Sequence, residues 1–390
     1  MKAVIHGQTA PGYEKVAEAF ANSFAGQAEM GAALAVRVHG ESVLDLWGGV
    51  ADPDARADWD EQTVSVVFSC TKGLMSILAA RLVQENRLDY DAPVARYWPE
   101  FAAAGKQDVL VRHVLAHRSG LSAPREVLKL EDVLDWDTIV THLARQEPLW
   151  TPGEHYAYHA LTHGWLLGEI IRRITGVSPG TFFRDLAAEP LKAEAWIGLP
   201  REHSARVARS HVGKSLLALT AEQSRRREPD VVDWNHRAMT LGNAFPDALV
   251  NPNGGFNAPE VQAVEIPGAG GIGSARALAK IWSATVVETD GIRLLDDAVV
   301  QTATRVQTEG PPLWDPRPPY ARWGMGFQLD SAARRLLTPA GFGHDGAGGQ
   351  VAFADPVHKV GFAYLTNQME AGEDSRATSV VDALREVLEA

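Results

Sequence analysis

Phe68-Ser69-Cys70-Thr71-Lys72 is followed at once by Leu74, Ile77, Leu78 and Leu82. These apolar residues recur at i, i+3, i+4 and i+8, so the spacing predicts a buried helix over 70–85. Ser69 then stands at its N-terminus, with Lys72 one turn later on the same face. The pairing offers an activated nucleophile. A serine hydroxyl is weak until a neighbouring base takes its proton, and a desolvated amine can be that base. The free backbone N–H groups of a first helical turn can bind a developing oxyanion. The same residues also fit an N-capping serine followed by a lysine that reaches solvent, and Ser-x-x-Lys is short enough for chance to supply it. Partners elsewhere in the chain must decide.

The 390 residues suffice for one large two-part domain or two ordinary ones, and 45% hydrophobic with 22% charged residues is a globular composition. A formal charge of −12 argues against nucleic acid or an anionic membrane as partner, since both need clustered Lys and Arg. Arg225-Arg226-Arg227 is a short run closed by Glu228 and reads as a solvated face. Cys70 is the only cysteine, which excludes an intrachain disulfide and favours a reducing compartment. No secretory pattern or spanning apolar run is visible, so a cytoplasmic location is expected.

Along the chain, 12–24 reads as an amphipathic helix, and 32–38 and 42–47 as strands of a hairpin around His39-Gly40-Glu41. Segment 51–64 is polar and reads as a loop. From 70 to about 265 the pattern is mainly helical. A short helix within 108–121 is expected to stop at Gly120, a turn falls at Trp150-Thr151-Pro152-Gly153, and a helix over 161–174 ends at Gly176. Segment 200–265 is polar and irregular. Beyond it come a helix at 275–282, strands near 324–329, 350–354 and 360–366, and a closing helix at 377–388. Strands at both ends with helices between predict an α/β (α+β) architecture. Residues 1–65 and 266–390 would form the sheet domain, and 66–265 an inserted, mainly helical one.

Four segments then line up. Ser69-Cys70-Thr71-Lys72 resembles the Ser-x-x-Lys box of the serine β-lactamase and penicillin-binding protein superfamily. Val114-Leu115-Ala116-His117-Arg118-Ser119-Gly120-Leu121 resembles the Leu-Leu-x-His-x-Ser-Gly-Leu signature of its class C-like branch. Pro152-Gly153 and Tyr158-His159-Ala160 fall where that branch has Pro-Gly and Tyr-x-Asn. His344-Asp345-Gly346, running into an apolar strand, falls where β-lactamases have Lys-Thr-Gly. The matches keep the family's order over nearly the whole chain, and the likeness is nearest to the family VIII carboxylesterases.

The resemblance implies a β-lactamase/transpeptidase-like fold and an acyl-enzyme on Ser69. Lys72 and Tyr158 would share the general base and acid roles, and the backbone N–H groups of Ser69 and Ala347 would form the oxyanion hole. Two departures bear on substrate. The lysine of Lys-Thr-Gly is His344, mostly neutral at pH 7, and the asparagine of Tyr-x-Asn is Ala160. A β-lactam or peptide would lose a cationic partner and an amide contact, whereas a small carboxylic ester needs neither. His344, Gly346, Trp323 and Trp150 are the expected pocket residues. A β-lactamase, a D-amino-acid peptidase or amidase, an acyltransferase and a singly acylated ligand sensor are the alternatives on the same fold. Neither metal nor cofactor is expected, and self-association is left open.

Three rival motifs compete with this reading. Gly268-Ala269-Gly270-Gly271-Ile272-Gly273 matches G-x-G-x-x-G with Glu288 downstream, but Pro267 interrupts a feeding strand and the segment reads as a glycine turn. His155, His159 and His163 recur every four residues and would line one helix face with a zinc-capable spacing. A Pro-Gly turn just before them and the absence of an HExxH glutamate make site-edge histidines the better reading. Cys70 points about 100° away from Ser69 around the helix and reads as a small buried side chain.

Overall fold

The computed structural model describes residues 3–228, 230–371 and 374–390. The chain opens with strand β1 (Ile5–Thr9), helix α1 (Glu14–Asn22) and strands β2 (Gly31–Val38), β3 (Glu41–Asp52), β4 (Ala57–Asp58) and β5 (Ser65–Val66). Helices α2 (Cys70–Gln84), α3 (Val111–Leu115) and α4 (Thr162–Thr175) follow. Strand β6 (Ala195–Ile197) and helices α5 (Lys214–Arg226) and α6 (Trp234–Thr240) lead to β7 (Gly271–Gly273) and α7 (Ala275–Val286). Strands β8 (Arg322–Trp323), β9 (Gln328–Leu329), β10 (Phe342–Asp345), β11 (Val351–Asp355) and β12 (Val360–Thr366) and helix α8 (Arg376–Leu388) complete it.

Both ends of the chain build one antiparallel sheet of nine strands, ordered β1-β3-β2-β12-β11-β10-β9-β8, with β4 on β3. The decisive seam is β2 against β12, where Leu34 faces Tyr364 and Val36 faces Phe362. Alternation sorts the side chains of β2: Ala32, Leu34 and Val36 join α1 and α8 in one core, while Ala33 and Ala35 face α7. The α7 face is made of small residues, and at Gly361 nothing larger fits. A Cβ there would lie 2.2 Å from the Ala279 carbonyl oxygen.

The hairpin turns at His39 and Gly40, both with positive φ, as its twist demands. The helix within 108–121 ends earlier than expected, because His117 rather than Gly120 first takes the left-handed conformation, with φ 61°. Segment 200–265 is less irregular than its composition suggests. It holds α5, which has no buried residue and so no apolar stripe to announce it. The glycine-rich stretch at 268–273 carries no dinucleotide-type βαβ unit. It ends in β7, which pairs antiparallel with β5 and β6 in a three-stranded sheet.

Candidate active site

Ser69 precedes α2 with helical backbone angles and makes no side-chain capping bond. Its hydroxyl lies 3.0 Å from Lys72 Nζ, so the capping role is excluded. The bend that presents it is strained. Phe68 has φ 43°, a conformation costing a bulky residue about 1–3 kcal/mol. The surroundings hold it there. The Phe68 carbonyl accepts from the Thr71 hydroxyl at 2.5 Å, that hydroxyl accepts from Gly271 N–H at 2.8 Å, and the Phe68 ring packs edge-on against Phe256.

Lys72 is fully buried. Its amine meets the carbonyl oxygens of Ala160 at 2.6 Å and Gly268 at 2.7 Å, besides the Ser69 hydroxyl. Gly268 comes this close because it and Gly164 lack side chains: a Cβ on Gly164 would stand 1.9 Å from Gly268 N, and one on Gly268 2.5 Å from the Leu161 oxygen. Burial pulls the Lys72 pKa down to about 7, and the charge of Asp345 acts weakly the other way. A neutral amine has two N–H bonds and one lone pair. With both hydrogens spent on the two carbonyls, the lone pair is left for the Ser69 hydroxyl.

Tyr158 belongs to the same cluster. Lys72 Nζ lies 4.9 Å from its ring centre. Burial raises the phenol above its ordinary range, while a hydrogen bond with Ser69 acts in the opposite sense. The phenol therefore keeps its proton at neutral pH. Trp323, itself buried, stacks on the ring at 5.4 Å and 21°, and His117 packs beside both at 4.8 and 4.5 Å.

His344 and Asp345 close strand β10 rather than preceding a strand, and 346–349 form the turn into β11. Gly346 lets that turn approach the segment leading from β5 to Ser69, since a Cβ would lie 2.4 Å from the Val67 oxygen. Among the described residues, the N–H groups of Ser69 and Ala347 have no protein acceptor. The His344 ring is buried behind Tyr158 and Trp323. Its Nδ1 donates to the Asp345 carbonyl at 2.6 Å, and burial first, then Lys72, push its pKa down to about 4. Trp150 is likewise mostly buried, against His159 and Trp314.

A β-lactamase family model matches residues 16–385. The chain belongs to the β-lactamase family. It is 35% identical over 374 residues to the esterase/beta-lactamase LipL of Mycobacterium tuberculosis, covering 94% of this chain and 83% of that one. Its structure is similar to that of a family VIII carboxylesterase, with TM-score 0.86 and 32% identity over 98% of this chain and 100% of the other. It is also similar to a penicillin-binding protein homologue from Caulobacter crescentus, with TM-score 0.85, 34% identity and the same coverage.

Within this β-lactamase frame, the three spaced histidines do not share a helix face. His155 is exposed in a loop, His159 is clamped between the Ser119 hydroxyl and the Ala157 carbonyl, and only His163 lies in α4. Among the described residues no group of three or more His, Cys, Asp or Glu is placed to hold a metal ion. No described helix is long and apolar enough to cross a membrane. Cys70 is buried, and its thiol points to the His344 carbonyl. Sequence reading missed Gly268 as a ligand of the lysine, although the glycines themselves were conspicuous. It also missed Trp234 and Trp314, which only the tertiary fold brings near Trp150.

Proposed function

We propose that this chain is a serine carboxylesterase that cleaves small carboxylic esters through an acyl-enzyme on Ser69. The observation that carries the reading is the Lys72 amine, held by two carbonyl oxygens with the Ser69 hydroxyl 3.0 Å away. Ser69 Oγ attacks the ester carbonyl carbon as its proton passes to Lys72. The tetrahedral oxyanion is held by the N–H groups of Ser69 and Ala347. Tyr158 gives its proton to the departing alkoxide as the C–O bond breaks, and Lys72 restores that proton. Water then attacks the acyl carbon, losing a proton to the same pair, and Ser69 Oγ leaves with one. The family VIII carboxylesterase likeness supports ester cleavage. So do the neutral, buried His344 and the absence of an amide side chain at Ala160.

Residues 1–65 and 266–390 would form the sheet domain and 66–265 the helical one, with Ser69 in the groove between. A reducing, cytoplasmic setting fits a chain whose single cysteine is buried. Intact mass after a fluorophosphonate probe, with the modified peptide mapped, tests the nucleophile, and a mark anywhere but Ser69 overturns it. Because one relative's name joins esterase to β-lactamase, a cephalosporin serves as comparator. Short acyl esters are expected to turn over much faster, and comparable kcat/KM values would sink the ester reading.

A further inference from the structure

Tyr158 is carried by a stretch without regular structure: residues 155–159 form neither helix nor strand. Among the described residues its own N–H and C=O have no backbone partner. The phenol is therefore placed through its two neighbours in the chain, and both of these are tied to one residue. The Ala157 N–H donates to the His117 carbonyl oxygen at 3.2 Å, and the His159 N–H donates to His117 Nδ1, also at 3.2 Å. One half of the grip is main chain and the other is side chain. His117 stands in the left-handed turn that ends α3, with φ 61°, a conformation that histidine, asparagine, aspartate and glycine enter more readily than other residues.

The side-chain half fixes the state of the ring. An Nδ1 that accepts from an amide carries a lone pair, so the ring proton sits on Nε2. The ring is fully buried. Burial first, then the neighbouring His163 and His159, holds its pKa well below the ordinary histidine range, so the lone pair persists at neutral pH. His159 doubles the grip. Its Nδ1–H donates to the Ala157 carbonyl at 2.6 Å and its Nε2 accepts from the Ser119 hydroxyl at 2.8 Å. The residues on either side of the phenol are thus joined to each other as well as to 117–119.

Resting on the proton-donor role assigned to Tyr158 above, we propose that His117 is its positioning residue. The His117 carbonyl oxygen and Nδ1 hold the chain on both sides of the phenol and so keep its hydroxyl where it can serve the leaving oxygen.

The test reads how far each variant depends on protonating that oxygen. Ethyl acetate and 4-nitrophenyl acetate give the same acetyl-enzyme, but ethoxide must take up a proton to depart, whereas 4-nitrophenolate leaves without one. The ratio of their kcat/KM values, set against wild type, reports proton delivery and cancels the amount of folded enzyme. His117→Gly removes the Nδ1 acceptor without strain at a left-handed position. His117→Asn keeps an acceptor, because Oδ1 is as many bonds from the backbone as Nδ1 is. His117→Gln fills more of the ring's space but carries its oxygen one bond further out. The ethyl-to-nitrophenyl ratio is expected to fall roughly ten-fold or more in His117→Gly and His117→Gln, and to return close to wild type in His117→Asn. A ratio unmoved in the first two overturns the inference. So does a ratio that falls as far in His117→Asn, since packing of the ring would then be the anchor. Tyr158→Phe distinguishes two failures. If it lowers the ratio while the His117 variants do not, only the grip is wrong. If it leaves the ratio unmoved, Tyr158 is not the proton donor, and the proton route of the esterase reading falls together with this inference.

Discussion

The Gly268 carbonyl oxygen lies 2.7 Å from Lys72 Nζ although 196 residues separate them. With the Ala160 oxygen on another side at 2.6 Å, it fixes the rotation of an amine that would otherwise turn freely. A buried amine is costly unless its hydrogens are engaged, and here the same contacts that satisfy it also aim it. The orientation of this amine is thus set by backbone atoms, which no side-chain pattern reveals.

Ser69→Ala is expected to abolish turnover and probe labelling. Lys72→Ala and Tyr158→Phe should each lower kcat by about two to four orders of magnitude, with circular dichroism and Tm near wild type. Rates near wild type in either of these two would show that the base is misassigned.

Lys72 must be neutral to accept a proton. Its pKa is lowered by burial from the ordinary lysine range to about 7. The ammonium form therefore dominates below that value, and kcat/KM should climb with pH through about 7 and level off above it. Tyr158, raised rather than lowered, should add no second rise near neutrality. A pH profile of kcat/KM for a short ester checks both statements.

Gly164→Ala would force a methyl group into Gly268 N. The Gly268 carbonyl must then withdraw from the amine. A fall in kcat/KM of roughly ten-fold or more is expected, together with a shift of the acid limb to lower pH, because a carbonyl oxygen favours the ammonium form. A stability loss with an unmoved pH profile would mean that Gly268 only packs.

Gly361→Ala makes a contrasting control far from the chemistry. The added Cβ would meet the backbone of α7 at 2.2 Å, so the helix must lift from the sheet. A destabilisation of about 1–3 kcal/mol is expected in denaturant unfolding, with the pH profile of the surviving enzyme unchanged.

The parts of the fold that were legible in the sequence are those with their own periodicity. Leu74, Ile77, Leu78 and Leu82 announce α2, and Gly176 marks the end of α4 by its left-handed φ of 79°. Strand β1 was not legible: its residues after Ile5 are exposed on a sheet edge and carry no alternation. The strand expected near 324–329 is reduced to β9 at its end, and β8 before it was not expected; both, two residues each, are held by pairing with each other and with β10. Of the candidate site, Ser69, Lys72 and Tyr158 could be named because each sits in a short local pattern. Gly268 could not, because its role is a carbonyl oxygen. The spacing of His155, His159 and His163 suggested a shared helix face that Leu161 forestalls, since α4 begins only at Thr162.

The central seam joins Val36 to Phe362, so a nascent polypeptide cannot close its sheet until Phe362 has been translated. Ser69 leaves the ribosome early, but the Lys72 amine beside it lacks the Gly268 carbonyl until much later. On the reading proposed above, synthesis yields a silent serine first and a working hydrolase only after the seam has closed, which makes turnover itself a sensitive gauge of completed folding.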